Sequence, residues 1–119
     1  MEKENTIAQM TFTFSLQIIN LYKLLTDRKE FVLSKQLLRS ATSIGANAAE
    51  ANAALTKKDF ISKMSIASKE ARETKYWLRL LNESKLIDVD YSEYLTTITH
   101  IINILTKIVK TSQQNAVTK

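Results

Sequence analysis

The chain has 119 residues, enough for one domain with a modest core, and it carries a formal net charge of +5. It contains no proline, one glycine and no cysteine, so little in it breaks a helix, and disulfides and thiolate metal sites are excluded. The charged residues 1–5 are unlike a signal peptide, and no apolar run approaches the roughly 20 residues of a membrane span. We therefore expect a cytoplasmic protein without membrane contact.

The first predicted helix spans residues 7–25 and carries two apolar lines. The first line consists of Phe12, Leu16 and Ile19. The second line consists of Phe14, Ile18, Leu21, Tyr22 and Leu25. Together the lines cover more than one face of the helix, which predicts contact with more than one neighbour. Polar residues 26–29 then interrupt the helix.

The second predicted helix spans residues 31–54 and is rich in alanine and serine, which permit another helix to approach closely. Its core line repeats at spacings of four and three residues and so occupies one face. The line consists of Leu37, Ala41, Ile44, Ala48, Ala51 and Leu55. Gly45 costs about 1 kcal/mol relative to alanine inside a helix. This cost indicates a close backbone contact at Gly45, the alternative being a tolerated defect.

The third and fourth predicted helices span residues 57–82 and 91–110, and each begins near a sequence that resembles a capping box, at Thr56–Asp59 and Asp90–Glu93. The core line of the third helix consists of Phe60, Met64, Ala67, Ala71, Thr74, Leu78 and Leu81. The fourth helix is rich in β-branched residues, so tertiary packing must keep it helical. We expect residues 111–119 to be frayed.

Four helices with short connections predict an all-α fold, an antiparallel up-and-down four-helix bundle that forms one domain over residues 1–119. The core lines of helices 2 and 3 align so that Leu37 faces Leu78 and Ile44 faces Ala71. Because small side chains repeatedly face small or medium ones in this alignment, we expect the two backbones to lie close together.

A polar stripe runs beside the core line on helices 2 and 3. On helix 2 the stripe consists of Gln36, Arg39, Ser43, Asn47 and Glu50. On helix 3 it consists of Lys63, Ile66, Glu70, Glu73 and Trp77. The antiparallel alignment brings the two halves to the same side of the helix pair. It predicts four contacts, Glu50–Lys63, Ser43–Glu70, Arg39–Glu73 and Gln36–Trp77, and the arginine pair suits bidentate geometry.

The polar stripe has three interpretations. It is a solvated surface with ion pairs worth about 0–1 kcal/mol each, a subunit interface, or a catalytic site built on the paired carboxylates of Glu70 and Glu73. The interface interpretation is favoured because Trp77 and Ile66 lie within the stripe and tryptophan is a common interface anchor. The second apolar line of helix 1 also needs a cover.

Five basic residues of helix 3 lie on a broad arc away from its core line, which we call the basic arc. They are Lys58, Lys69, Arg72, Lys75 and Arg79. Such a cluster suits phosphate, since affinity for nucleic acid comes largely from counterion release. The alternative is an ordinary solvated face, partly neutralised by Glu73 and Glu83. Repetition of the arc in a ring of subunits would raise the local potential, and without a base-reading motif we expect recognition of backbone or shape.

We predict no enzymatic activity, no catalytic residue, no metal and no cofactor. The chain has one histidine, His100, which we expect to be a core or interface residue of the apolar fourth helix. The Glu-x-x-His pairs of two-metal bundles are missing, and so are glycine-rich phosphate loops.

Residues 34–51 of helix 2 resemble the signature of the bacterial four helix bundle protein family. These proteins are also called 23S rRNA intervening-sequence proteins, because some are encoded within insertions in ribosomal RNA genes. Helix 3 is similar to a second signature of the family through Phe60, Ala67, Lys69, Glu70, Ala71, Glu73, Thr74, Trp77 and Leu78. Residues 47–51 read Asn-Ala-Ala-Glu-Ala, where the family often has Asn-Ile-Ala-Glu-Gly.

The family is similar to the accessory variability proteins of diversity-generating retroelements, which assist a reverse transcriptase and bind nucleic acid. Relatives of both kinds form homopentameric barrels. The resemblance therefore implies a homo-oligomer, specifically a pentamer, that acts as a nucleic-acid or ribonucleoprotein accessory and binds RNA or DNA. The alternative is a protein-interaction scaffold, for example a partner of a reverse transcriptase, with no direct contact to nucleic acid.

Overall fold

Four helices make up most of the chain in a computed structural model that describes the backbone of residues 2–117 and the side chains of residues 6–115. The helices are α1 (Glu2–Asp27), α2 (Leu33–Asn52), α3 (Lys57–Ser84) and α4 (Ser92–Val117). No strand occurs in the described residues, which confirms the all-α prediction. α4 continues to Val117, beyond residue 110 where the fourth helix was predicted to end. Residues 118 and 119 lie outside the described part of the chain.

Each helix packs against the next one in sequence, and α2 and α3 form the most extensive pair. The short connections make neighbouring helices antiparallel, and the bundle measures 52 × 22 × 21 Å. α4 returns to α1 along a looser seam, where the groove between the helices is lined by side chains that include Thr13, Gln17 and Thr97. Among the described helices, none is both long and apolar enough to cross a bilayer.

The predicted core lines face the interior of the bundle. Leu37, Ile44, Met64 and Leu78 are fully buried. Leu55 is the exception, because α2 ends before it and its side chain in the connection to α3 is 98% exposed.

The two apolar lines of α1 have different surroundings. The second line packs inside the bundle, and Phe14, Ile18 and Leu21 are buried there. The first line faces outward, with Phe12 64% and Leu16 49% exposed. The expectation that the second line needs a further cover is therefore wrong, because the bundle itself buries that line and the first line is the one left exposed.

Gly45 marks a close contact between α2 and α1. A Cβ atom on Gly45 would lie 3.4 Å from Ser15 Oγ and 3.4 Å from the Thr11 carbonyl oxygen. The Ser15 hydroxyl also donates a long hydrogen bond of 3.4 Å to the carbonyl of Ala41. The predicted close contact at Gly45 is therefore present, and its partner is α1.

Glu30 holds the beginning of α2 in place. Its carboxylate accepts hydrogen bonds from the backbone N–H groups of Val32, Leu33 and Ser34 at 3.1, 2.9 and 2.6 Å. The Ser34 hydroxyl donates to the Glu30 carbonyl at 2.7 Å, and both residues are buried. One negative side chain thus satisfies amides that have no partner within the helix, at the end where the helix dipole favours an anion.

The beginnings of α3 and α4 partly follow the predicted capping boxes. Thr56 Oγ1 accepts a hydrogen bond from the backbone N–H of Asp59 at 3.0 Å, as expected. Before α4, the carboxylate of Asp90 accepts from the backbone N–H of Ser92 at 3.0 Å and from its hydroxyl at 2.7 Å. These two hydrogen bonds lower the pKa of Asp90.

The role of Glu30 predicts a stability change. We expect Glu30→Gln to lower the free energy of unfolding by about 1–2 kcal/mol, because the neutral amide is a weaker acceptor for the α2 amides. Urea denaturation followed by circular dichroism measures this change. Glu83→Gln, which alters an exposed carboxylate paired with Arg79, serves as the control and should cost less than about 0.5 kcal/mol. Equal losses in the two variants would contradict the capping role.

Candidate nucleic-acid interface

The two halves of the polar stripe meet along one side of the α2–α3 pair. The guanidinium of Arg39 donates from Nη2 to Oε2 of Glu73 and lies 3.6 Å from Oε1 of Glu70 through Nη1. Lys63 Nζ lies 2.8 Å from Oε1 of Glu50, and this hydrogen bond and charge raise the pKa of Lys63. Two of the four predicted contacts, Arg39–Glu73 and Glu50–Lys63, are therefore present.

A buried hydroxyl pair links the same two helices beneath the stripe. Thr74 Oγ1 lies 2.8 Å from Ser40 Oγ, and both residues are fully buried. This pair lies one residue away from the predicted alignment of the two core lines. Ser40 was not singled out in the sequence, because serine on an alanine-rich helix is unremarkable until a second polar group faces it.

The other polar groups of the stripe find partners that the alignment did not predict. Asn47 Nδ2 donates to the carbonyl and the hydroxyl of Ser43 at 2.9 and 3.2 Å, within α2. Gln36 Oε1 accepts from Arg39 Nε at 3.5 Å. The predicted contacts Ser43–Glu70 and Gln36–Trp77 do not occur among the hydrogen bonds of the described side chains.

Trp77 is anchored inside its own chain. Its indole N–H donates to Oε2 of Glu73 at 3.1 Å, and its ring is half-buried against the core. Ile66, the other apolar residue of the stripe, is 39% exposed. Trp77, the expected interface anchor, is therefore already partly packed within a single chain. Hydrogen bonds connect Arg39 to Glu73 and Glu73 to Trp77 along the stripe.

The carboxylates of Glu70 and Glu73 both face the guanidinium of Arg39. Both carboxylates are therefore ion-pair partners of Arg39 on α2. Within the described residues, no group of three histidine, cysteine or carboxylate side chains is placed to hold a metal ion. His100 lies exposed on α4, so it is not a core residue, and the other half of the expectation, an interface position, stays a prediction.

The basic arc occupies the outer surface of α3. Lys58, Lys69, Arg72 and Arg79 are exposed and Lys75 is half-buried. None of the three lysines has an ion pair in the described part of the chain.

The two arginines of the arc are held differently. Arg72 Nη2 donates to the neutral hydroxyl of Thr106 on α4 at 2.9 Å. Arg79 Nε pairs with Glu83 one turn further along α3 at 3.0 Å. Within residues 6–115, four cations of the arc therefore have no acidic partner: Lys58, Lys69, Arg72 and Lys75.

The contact between Arg72 and Thr106 connects the arc to α4. Lys110 follows Thr106 by one helical turn and so lies on the same side of α4. The basic surface thus extends from α3 onto its neighbour. Thr106 and Lys110 were not predicted, because only helices 2 and 3 were aligned from the sequence; an alignment of α3 with α4 would have been the signal.

The Arg39–Glu73 contact predicts a measurable coupling energy. We expect a double-mutant cycle with Arg39→Ala and Glu73→Ala to give about 0.2–1 kcal/mol, because the arginine side chain is 52% exposed. Glu73→Ala should cost more than Arg39→Ala, since it also removes the acceptor of the Trp77 indole. Thermal and urea denaturation measure these values, with the exposed Arg79–Glu83 pair as the reference cycle. A coupling energy of zero would show that the Arg39–Glu73 contact does not stabilise the packing of α2 against α3.

No curated protein matches the chain. Among solved structures, the chain is similar to a protein of unknown function from the S23 ribosomal protein family of Bacteroides thetaiotaomicron VPI-5482. The two are 46% identical, the match covers 91% of this chain and 98% of the other, and the TM-score is 0.84. The family model described as 23S rRNA-intervening sequence protein matches residues 3–107. The chain therefore belongs to the family of 23S rRNA-intervening sequence proteins.

Proposed function

We propose that this protein is a non-enzymatic, homo-oligomeric helical bundle that binds the phosphate backbone of RNA and serves as a ribonucleoprotein accessory. The observation that carries the proposal is the basic arc. Lys58, Lys69 and Lys75 have no ion pair among the described side chains, and Arg72 keeps its charge beside a neutral hydroxyl. The family description refers to 23S rRNA, which supports RNA as the first ligand to test.

The shape of the arc suits a polyanion. From Lys58 to Arg79 the cations follow about 30 Å of α3, at 1.5 Å per residue. A charged strand that lies along the helix meets several of them at once, and each contact releases a condensed counterion. Since the cations contact phosphates and carry no base-specific information, recognition is independent of sequence. A cytoplasmic location follows from this proposed ligand.

Self-association is supported by the outward line of α1. Phe12 and Leu16 remain exposed beside the half-buried Ile19, so burial in a second copy would remove apolar surface from water. We propose a pentamer, in agreement with the resemblance of the sequence to pentameric relatives. The same line supports the second candidate function, a scaffold that docks another protein such as a reverse transcriptase without touching nucleic acid.

Removal of charge from the arc tests RNA binding. We expect Lys69→Gln with Arg72→Gln to weaken binding of a fluorescein-labelled RNA at least tenfold at low salt. The slope of log Kd against log salt should fall by about 1.4, since each lost contact accounts for about 0.7 on a single strand. Fluorescence anisotropy over a salt series gives both values.

Lys23→Gln with Lys35→Gln removes the same charge from exposed positions on α1 and α2 and should leave the affinity nearly unchanged. Absence of binding at low salt, or an affinity independent of salt, would refute the RNA proposal and favour the scaffold.

Solution mass tests the assembly. Light scattering after gel filtration should give five times the chain mass of 13.6 kDa. Phe12→Asp with Leu16→Asp should lower the mass to that of one chain, because buried carboxylates without partners oppose association. Thr13→Asp with Gln17→Asp, at exposed positions one residue further along the same helix, should keep the assembly. A wild-type mass equal to one chain would remove the basis for a homo-oligomer.

A further inference from the structure

We propose that Tyr76 is a stacking platform for an unpaired base, so that the basic arc accepts single-stranded RNA in preference to a duplex. The proposal rests on the proposed function, because phosphate contacts bring the strand onto α3. Tyr76 is 55% exposed and belongs to neither the core line nor the polar stripe. More than half of this large aromatic side chain is therefore open to solvent.

Tyr76 lies within the basic arc. Arg72 precedes it by four residues and Arg79 follows it by three, so both guanidinium groups belong to neighbouring turns on the same surface of α3. Lys69 is one turn beyond Arg72 on this surface. An RNA strand whose phosphates meet Lys69 and Arg72, which have no acidic partner among the described side chains, therefore passes beside the tyrosine ring.

The Tyr76 ring is in contact with the aromatic residue that follows it in α3. It packs edge to face against Trp77, with ring centroids 5.1 Å apart and an interplanar angle of 72°. The Trp77 indole is in turn held by Glu73, and Glu73 is held by Arg39 of α2. The polar stripe thus orders an aromatic pair at the edge of the arc, and a ring ordered in advance loses little conformational freedom on binding.

The nearby carboxylates do not oppose a strand at Tyr76 strongly, because each already has a cationic partner. Glu73 pairs with Arg39 and Glu83 pairs with Arg79. Lys69 and Arg72 have no acidic partner among the described side chains.

An exposed ring discriminates between unpaired and paired bases. Stacking on an aromatic side chain contributes about 5- to 150-fold in affinity per base and accepts every base. In an A-form duplex the bases are already stacked and the deep major groove is closed to side chains, so the ring gains nothing there. Phosphate contacts, in contrast, are available in both forms. The combination of ring and cations therefore selects single strands by stacking and not by charge.

The test uses the full chain and two probes, a 12-nucleotide oligouridine and a 12-base-pair RNA duplex, by anisotropy at low salt. Tyr76→Leu, which keeps a helix-forming side chain of similar size, should weaken oligouridine binding about 5- to 150-fold and leave duplex binding unchanged. Tyr76→Phe should behave as wild type. Phe31→Leu, at an aromatic residue that is 60% exposed on the connection between α1 and α2, is the matched control and should change neither affinity.

A second readout comes from Trp77, which is the single tryptophan of the chain. Oligouridine should quench its fluorescence in wild type and in Tyr76→Phe, and much less in Tyr76→Leu.

The outcomes separate this proposal from the one on which it rests. If Tyr76→Leu binds oligouridine as wild type does, or loses both probes equally, the stacking role is overturned while salt-dependent binding still supports the phosphate site. A changed solution mass in Tyr76→Leu would assign Tyr76 to a subunit contact and also overturn the role. If wild type binds neither probe at low salt, both proposals fail together.

Discussion

The close pairing of α2 with α3 is the constraint on which the other features of the bundle depend. Alanine and serine along the facing lines let the two backbones approach, and the buried Ser40–Thr74 hydroxyl pair fixes their relative position. The two hydroxyl groups meet in only one alignment, so a slip of one residue would break their contact and leave each of them only a carbonyl of its own helix, Leu37 for Ser40 and Glu70 for Thr74. This alignment also sets Arg39 opposite Glu73. The ion pairs on the surface of the α2–α3 pair therefore follow from the alignment of its buried residues.

The surface of α3 then divides into two regions with different electrostatics. Toward α2, cations and carboxylates neutralise one another in the polar stripe. Toward α4, Arg72 meets a hydroxyl and the lysines meet no acid among the described side chains. A single helix thus carries an edge of paired charges toward α2 and, on its other edge, the cations of the proposed phosphate site. Trp77 and Tyr76 lie where the two regions meet.

Much of this arrangement was readable in the sequence. Spacing alone predicted the core faces of α2 and α3 and the Arg39–Glu73 and Glu50–Lys63 contacts, because a helix converts residue number directly into angle. The predictions failed where the outcome depends on more than the angular position of a residue around its helix axis. Leu55 continued the core spacing, but the helix had already ended. The capping role of Glu30 depends on how the chain turns between α1 and α2, and Thr106 belongs to the arc only through an alignment of helices that periodicity does not give.

The weaker packing of α4 against α1 bears on how fast the protein folds. The tighter helix contacts all join neighbours in sequence, so few of them require distant parts of the chain to meet. Low contact order of this kind keeps the entropy of loop closure small and is typical of bundles that fold within microseconds to milliseconds. The α2–α3 hairpin has the most extensive helix contact and the shortest connection. We therefore expect it to form the folding nucleus, against which α1 and α4 then pack.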